Sequence, residues 1–363
     1  MTSILKRESE RLAGQVIVAG FDGKTLPDDV RKSLEDGALG GLILFKRNIE
    51  SHGQVAEMLG EARKIAPEDR RPVTAVDQEG GRVVRFREPL TVLPPARKFG
   101  RVDDPELTMA AGRLVGCELR ALGFTLNCAP VLDVDTNPDS PIIGDRSYGT
   151  TPKEVIRHGL AFARGLRDGG VFPCAKHFPG HGDATIDSHV SLPRVEHERE
   201  RLTSIEMEPF AAWARTGLGP IMSAHVVYPA LDPDNPATAS RPIIRGELRE
   251  GLRFNGPVLT DDLEMGAIAE HGGPAVVAVQ AIHGGVDGLL VCRRPEIRAE
   301  VREALVRECE KNPAFARKLE VAAGRLASLA HMTGPRVDVS WIGTSGHDSL
   351  KSAVLSMLDK ETN

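Results

Sequence analysis

Lys176-His177-Phe178-Pro179-Gly180-His181-Gly182-Asp183 follows directly on the apolar run Gly170-Val171-Phe172-Pro173-Cys174-Ala175 and continues through Asp187-Ser188-His189 to Leu192-Pro193. Pro179, Gly180 and Gly182 stop any helix or strand there. The segment Lys176 to His189 holds three His, two Asp and one Lys. A dense ionisable loop hung on the end of a buried strand is where an α/β scaffold carries its chemistry. The residues alone leave three readings of it open. His and carboxylate side chains could ligate a metal. Asp187 could orient His189 as an acid/base dyad. The polar side chains could also do no more than bond to the loop's own backbone. Spacing counts against the metal, because Pro179 and Gly180 separate His177 from His181 and no helix presents both on one face.

Outward from this loop, short apolar runs alternate with longer amphipathic stretches. Residues 15–20, 41–45, 72–76, 125–130, 171–176, 220–224, 257–260 and 288–291 read as strands. Helical patterns over 27–37, 54–65, 105–122, 152–168, 199–216, 241–252, 274–283 and 295–332 follow them in turn. Eight strand–helix pairs predict an α/β fold, a single-domain (β/α)8 TIM-type barrel over residues 1–332. An open, doubly wound sheet is the alternative, but no GxGxxG motif opens a first strand–helix turn. Residues 333–363 are polar and Ser-rich and form a short C-terminal extension, with one helix expected around 350–358.

Bulk properties narrow the function. A net charge of -5 provides no basic field for nucleic acid. The five cysteines (Cys117, Cys128, Cys174, Cys292 and Cys309) are scattered with no CxxC pair, which reads as reduced thiols in the cytoplasm. Residues 1–14 are charged and lack the apolar core of a signal peptide, and no run reaches the length of a membrane span.

A barrel gathers its site at the C-terminal ends of its strands. The unusual polar residues fall there in register: Asp77-Gln78-Glu79 and Arg85 after the third strand, Asp133, Asp135 and Asp145-Arg146 after the fourth, Lys176-His177 at the fifth, His225 after the sixth, and Asp261-Asp262 at the seventh. Asp77 could bind vicinal hydroxyls or cap a turn. Arg85 and Arg146 could grip a substrate or pair with Asp77 or Glu79. Strand alternation sends Asp261 and Asp262 to opposite faces, so one enters the site and the other needs backbone donors or a basic neighbour.

Asp77-Gln78-Glu79-Gly80-Gly81-Arg82, Gly144-Asp145-Arg146-Ser147-Tyr148, Lys176 to Asp183, Asp187-Ser188-His189 and Thr260-Asp261-Asp262 resemble, in order, the blocks of family 3 glycoside hydrolases of the bacterial β-N-acetylglucosaminidase branch. The resemblance spans about residues 10–330. It implies a retaining exo-hydrolase with Asp261 as nucleophile, His189 as general acid/base and Asp187 as its partner. Asp77, Arg85, Arg146, Lys176 and His177 would be substrate-binding residues. The implied substrate is terminal β-linked N-acetylglucosamine on anhydromuramoyl peptides in peptidoglycan recycling, handled by a cytoplasmic monomer without metal or other cofactor. Nucleic-acid and membrane partners are not expected. A phosphorylase or a broader β-glycosidase on the same residues remains the alternative. Relatives acting on β-glucosides carry a second domain with an acid Glu, and residues after Thr333 are too few to supply one. Two Trp and two Tyr provide few stacking platforms, so recognition would rest on hydrogen bonds.

Overall fold

The computed structural model describes residues 3–138, 140, 142–183, 192–331 and 337–360. Its main sheet holds nine parallel strands: β1 (Ile17–Ala19), β2 (Gly41–Leu44), β3 (Val73–Val76), β4 (Leu126–Asn127), β5 (Phe172–Pro173), β6 (Ala175–Phe178), β7 (Ile221–Ser223), β10 (Val258–Asp262) and β11 (Gly288–Val291). A separate antiparallel pair, β8 (Val227–Tyr228) and β9 (Asp232–Pro236), lies between β7 and β10 in the chain. The order around the main sheet is β5-β4-β3-β2-β1-β11-β10-β7-β6. β5 and β6 are two halves of one predicted strand, interrupted at Cys174. The first half pairs with β4 and the second with β7. A parallel bridge between Val131 and Lys176 carries β6 back toward the β4 side. The sheet is therefore a nearly closed (β/α)8 TIM-type barrel of eight strand positions.

The barrel strands are buried on both faces, as parallel strands covered by helices must be. One core lies inside the sheet, with Val18, Ile43, Ala75, Leu126, Cys174, Met222, Leu259 and Leu290. A larger one fills the space between sheet and helices. Helices Pro105–Leu122 and Pro152–Asp168 both start with Pro at the first turn, where its missing N–H costs nothing. Asp104 caps the first, and the Thr151–Glu154 capping box caps the second. These two helices cross at backbone contact. A Cβ on Gly112 would sit 2.3 Å from the Phe162 carbonyl oxygen, and one on Gly165 would sit 2.0 Å from that of Met109.

Several expected elements differ. The helix expected over 199–216 is broken into Arg199–Arg201, a wide turn at Leu202–Glu206, and Glu208–Ala214. Pro209 has no N–H to continue the ladder, so a new first turn begins there. The long pattern over 295–332 divides at Asn312–Pro313 for the same reason, with the Asn312 side chain capping Ala314 and Phe315. Helix Ala96–Val102 and the β8–β9 pair had no strong sequence signal. The C-terminal helix runs Ser345–Lys360, longer than expected at its start. Its Val354 and Leu358 join the outer barrel core. No helix among the described residues is long and apolar enough to cross a membrane.

The glycine contact between the two helices gives a stability test. Gly165→Ala should lower stability by about 1–3 kcal/mol through overpacking, while turnover per folded molecule stays unchanged. Thermal melts and an active-site titration of the same preparation check both halves.

Candidate active site

The carboxyl ends of the barrel strands enclose a cavity of about 270 Å³. Asp77, Arg85, Arg146, Lys176, His177 and Asp261 all line it. Six residues widely separated in the chain are thus brought to one mouth. Asp187 and His189 lie outside the described residues.

Lys176 sits at the centre of the floor. Its side chain is 4% exposed and donates to Asp77 Oδ1 at 2.8 Å and to Glu79 Oε1 at 2.6 Å. Arg85 Nη2 donates to Asp77 Oδ2 at 3.0 Å. Arg146 makes a two-pronged bond to Glu79, with Nε and Nη2 each 2.9 Å from a carboxylate oxygen. Three cations and two carboxylates thus form one continuous network. Burial alone would raise the pKa of Asp77, but the Lys176 and Arg85 charges outweigh it and hold Asp77 far below the carboxylate range. Glu79 is held at about 2 in the same way, burial being overcome by Arg146 and Lys176. Burial works against the Lys176 charge too, yet Asp77 and Glu79 keep its pKa above the usual lysine value. Asp77, Glu79, Lys176 and Arg146 are therefore ionised at neutral pH.

Local sequence explains how the network is held. Asp77 and Glu79 lie two apart just past β3, so both turn toward the mouth. Between them, Gln78 points into the protein. Its side-chain oxygen accepts from the N–H groups of Arg85 and Phe86, and its amide donates to the Phe86 carbonyl. Asn127 at the end of β4 bonds the Gln78 backbone in both directions, at 2.9 and 3.0 Å. Arg85 is thereby fixed eight residues beyond the carboxylate that it meets.

The opposite wall carries a second polar system. Buried Asp133 accepts from the ring Nδ1 of His177 at 2.7 Å and from the backbone N–H of His177 and His181 at 3.1 and 2.7 Å. The other nitrogen of His177, Nε2, is 4.0 Å from Asp261 Oδ2. Burial would raise the Asp261 pKa, but His177, His225 and a bond from the Asp262 N–H lower it below the ordinary value. Burial, together with the His177 charge, pushes His181 down to about 4. Burial also lowers His225, whose ring bonds Thr238 Oγ1 and the Asp262 carbonyl oxygen.

Asp261 and Asp262 both border the cavity. Strict alternation predicts one inside and one outside, but the β10–β11 register shifts between Leu259 and Asp262, and such a bulge re-aims side chains. The two acids still differ. Asp262 Oδ1 accepts from the backbone N–H of Glu264 and Cys292, and burial lifts its pKa to about 6. Asp262 is tied to the frame, as expected for one of the pair, while Asp261 keeps an ionised carboxylate beside the histidines.

The sequence places Glu79, Asp133 and His225 at the strand ends and His181 in the signature loop, but assigns none of them a task in the site. Glu79 was findable, being one alternation step from Asp77. The pairing of Asp133 with His177 was not, since it depends on the return of β6 beside residue 131. Phe45 adds an aromatic edge to the cavity, with the Arg47 and Arg85 guanidiniums 4.4 and 5.4 Å from its ring centre.

With this geometry in place, the comparisons with known proteins are decisive for the family. The sequence pattern of the glycosyl hydrolase family 3 N terminal domain matches residues 10–329. The chain belongs to glycosyl hydrolase family 3. Within that family, a β-hexosaminidase of Methylococcus capsulatus is 42% identical over 306 residues, covering 84% of this chain and 90% of the relative. The structure of a family 3 β-N-acetylglucosaminidase from Paenibacillus superposes with a TM-score of 0.87 at 39% identity, over 96% of this chain and 68% of that one. NagZ from Neisseria gonorrhoeae, solved in complex with N-trifluoroacetyl-D-glucosamine, superposes with a TM-score of 0.82 at 32% identity, over 95% of this chain and 98% of that one. For a family 3 member, a pocket floored by paired ions suits a sugar, whose hydroxyls both donate and accept.

The ion network makes a pH prediction. Both folded pKa values are depressed, so the two carboxylates contribute stability that is full above their unfolded values. That contribution is lost as pH falls, for Glu79 between about 4.5 and about 2. Lys176→Met should cost on the order of 3–5 kcal/mol near neutral pH, because buried carboxylates lose a partner. The deficit should shrink as pH falls through that window. Urea unfolding of both proteins from pH 7 to pH 3 measures it, and a deficit independent of pH would contradict the network.

Proposed function

We propose that the chain is a retaining exo-β-N-acetylhexosaminidase that releases terminal β-linked N-acetylglucosamine, with Asp261 as nucleophile. One observation carries the reading. Asp261 presents an ionised carboxylate to a sugar-sized cavity opposite a floor of paired ions. Attack by Asp261 on the anomeric carbon breaks the glycosidic bond and forms a glycosyl ester, which water then resolves. Asp77, Arg85, Arg146, Lys176 and His177 hold the hydroxyls. The names of the similar proteins support the 2-acetamido sugar. The natural aglycone in this reading is an anhydromuramoyl peptide, met in the cytoplasm by a monomeric enzyme.

Bond cleavage needs a proton for the leaving group, and we assign it to His189 with Asp187 as partner. A neutral imidazole does not repel an ionised nucleophile, and its ordinary pKa suits neutral pH. The ends of their loop are anchored. Asp183 pairs with His197 and accepts from Thr136 Oγ1 at 3.3 Å, and the Leu192 N–H donates to Glu270 at 3.0 Å. A second assignment rests on the Asp133–His177 pair, since His177 Nε2 lies 4.0 Å from Asp261.

Kinetics separate these assignments. His189→Ala should lose on the order of a hundred- to ten-thousand-fold on a natural disaccharide leaving group. It should lose much less in the first step with dinitrophenolate, which leaves unaided, and azide should then rescue the second step. Uniform loss on both substrates without rescue would remove His189 from the chemistry. The same leaving-group signature in His177→Ala would transfer the role to the Asp133–His177 pair.

Nucleophile identity has its own test. A fluorinated slow substrate should label the peptide of the native enzyme at Asp261. Asp261→Asn should abolish labelling, and Asp262→Asn should keep it. Comparing N-acetylglucosaminide with glucoside turnover tests the sugar class, and equal rates would favour a broad β-glycosidase. Stimulation by inorganic phosphate with release of a sugar 1-phosphate would favour a phosphorylase.

A further inference from the structure

Residues 337–360 carry two features that simple surface packing does not need. His347 is fully buried, and its Nε2 lies 2.7 Å from Glu118 on helix Pro105–Leu122. Its Nδ1 accepts from the Gly343 N–H at 3.1 Å, which leaves Nε2 as the donor to the carboxylate. The same Glu118 oxygen accepts from the Thr91 N–H at 2.9 Å and from Thr91 Oγ1 at 2.6 Å. Glu118 is 1% exposed, so a barrel carboxylate is buried between a residue of the loop after β3 and a residue 229 positions further along the chain. The second feature is Lys351, which donates to Glu88 at 2.8 Å and to the Pro89 carbonyl at 3.2 Å.

Both links end on residues 88–91. This stretch belongs to the loop that carries Asp77, Glu79 and Arg85. Gln78 fixes the loop at residues 85–86, and the C-terminal segment holds the part beyond. Residues Glu88, Pro89 and Leu90, with Lys46, His52 and Arg85, line a neighbouring cavity of about 420 Å³. Arg85 is common to this cavity and to the one around Asp261. A shift of residues 88–91 therefore alters the wall between the two.

We infer that residues 337–360 are a brace for the substrate site, in which His347 acting through Glu118, and Lys351 acting through Glu88, position the loop that holds Arg85. His347 and Lys351 are positioning residues. Lys351 touches the loop directly and His347 reaches it through Glu118, and neither lines the cavity around Asp261. The kinetic consequence rests on the proposed sugar-binding role of Arg85, whereas the structural consequence does not.

The test uses the full chain with His347→Phe, which keeps a ring and removes the donor, and Lys351→Met. Amide hydrogen exchange should accelerate in residues 86–93 of both variants, with residues 258–263 around Asp261 unchanged. KM for an aryl N-acetylglucosaminide should rise on the order of fivefold at nearly constant kcat, the signature of lost positioning for binding. His347→Gln, whose amide can donate to Glu118, should restore slow exchange and low KM. Faster exchange confined to 337–360, with 86–93 as protected as before, would overturn the brace. If His347→Phe does not fold, Lys351→Met decides the question by the same exchange criterion. Exchange reports on the brace even if the substrate assignment fails, and an altered KM without altered exchange at 86–93 also counts against it.

Discussion

The site depends on one buried ammonium. Lys176 stands on the strand whose two halves pair with opposite neighbours around the barrel, and its backbone makes the bridge to Val131. Its side chain reaches across to Asp77 and Glu79, which follow β3. Closing the barrel and neutralising the pocket floor are therefore done by the same residue. An unpaired ammonium at this depth would be costly, and two unpaired carboxylates more so. Together they offset one another, and Arg85 and Arg146 give each carboxylate a second cation, leaving the floor one positive charge in excess. The result is a set of fixed charges whose outward lone pairs and N–H groups are aimed before any substrate arrives, which is how a polar site binds without reorganising.

Asp261 uses the same economy in reverse. The floor acids are held by short ion pairs. Among the described residues Asp261 makes no such short pair. Its charge is favoured by the histidines at a distance and by one backbone N–H, a milder stabilisation that leaves the carboxylate oxygens accessible to the cavity. A carboxylate in a bidentate arginine pair would be a poor nucleophile. Adjacent Asp262 shows the alternative fate, with its oxygen committed to the Glu264 and Cys292 amides. Two neighbouring acids of identical chemistry are thus separated by what their oxygens accept.

The sequence made the barrel legible because its strands are short apolar runs, several with polar residues at the carboxyl end, and many helices open on a side-chain cap or a proline. Helices 105–122 and 152–168 match their predicted limits, where Asp104 and Thr151 supply local caps. Predictions failed where the outcome depended on distant partners. The break at Cys174 exists because the strand must satisfy β4 on one side and β7 on the other. The bulge that lets both Asp261 and Asp262 border the cavity is set by β11. Position alone gathers six of the polar residues at one mouth, since strand ends converge, while their selection as site residues comes from the family resemblance. Pairing could not. The sequence offers Asp77 or Glu79 as a partner for Arg146 without choosing between them, and nothing local says that Asp133 meets His177 across 44 residues.

The loop after β3 shows how far such pairing extends. Its first residues are part of the charged floor, its middle is stapled by Gln78, and its far side meets Glu118 and the C-terminal helix. Each attachment restrains a different part of the loop, on Arg85 itself and on the residues beyond it. The barrel alone supplies the first two restraints. The third needs a buried carboxylate on helix 105–122, which would be left with Thr91 alone if His347 were absent. Glu118 is a poor choice for a barrel helix facing only apolar neighbours and a sensible one for a helix that receives a donor from elsewhere in the chain. The placement of that single acid ties the C-terminal segment to the geometry of the pocket.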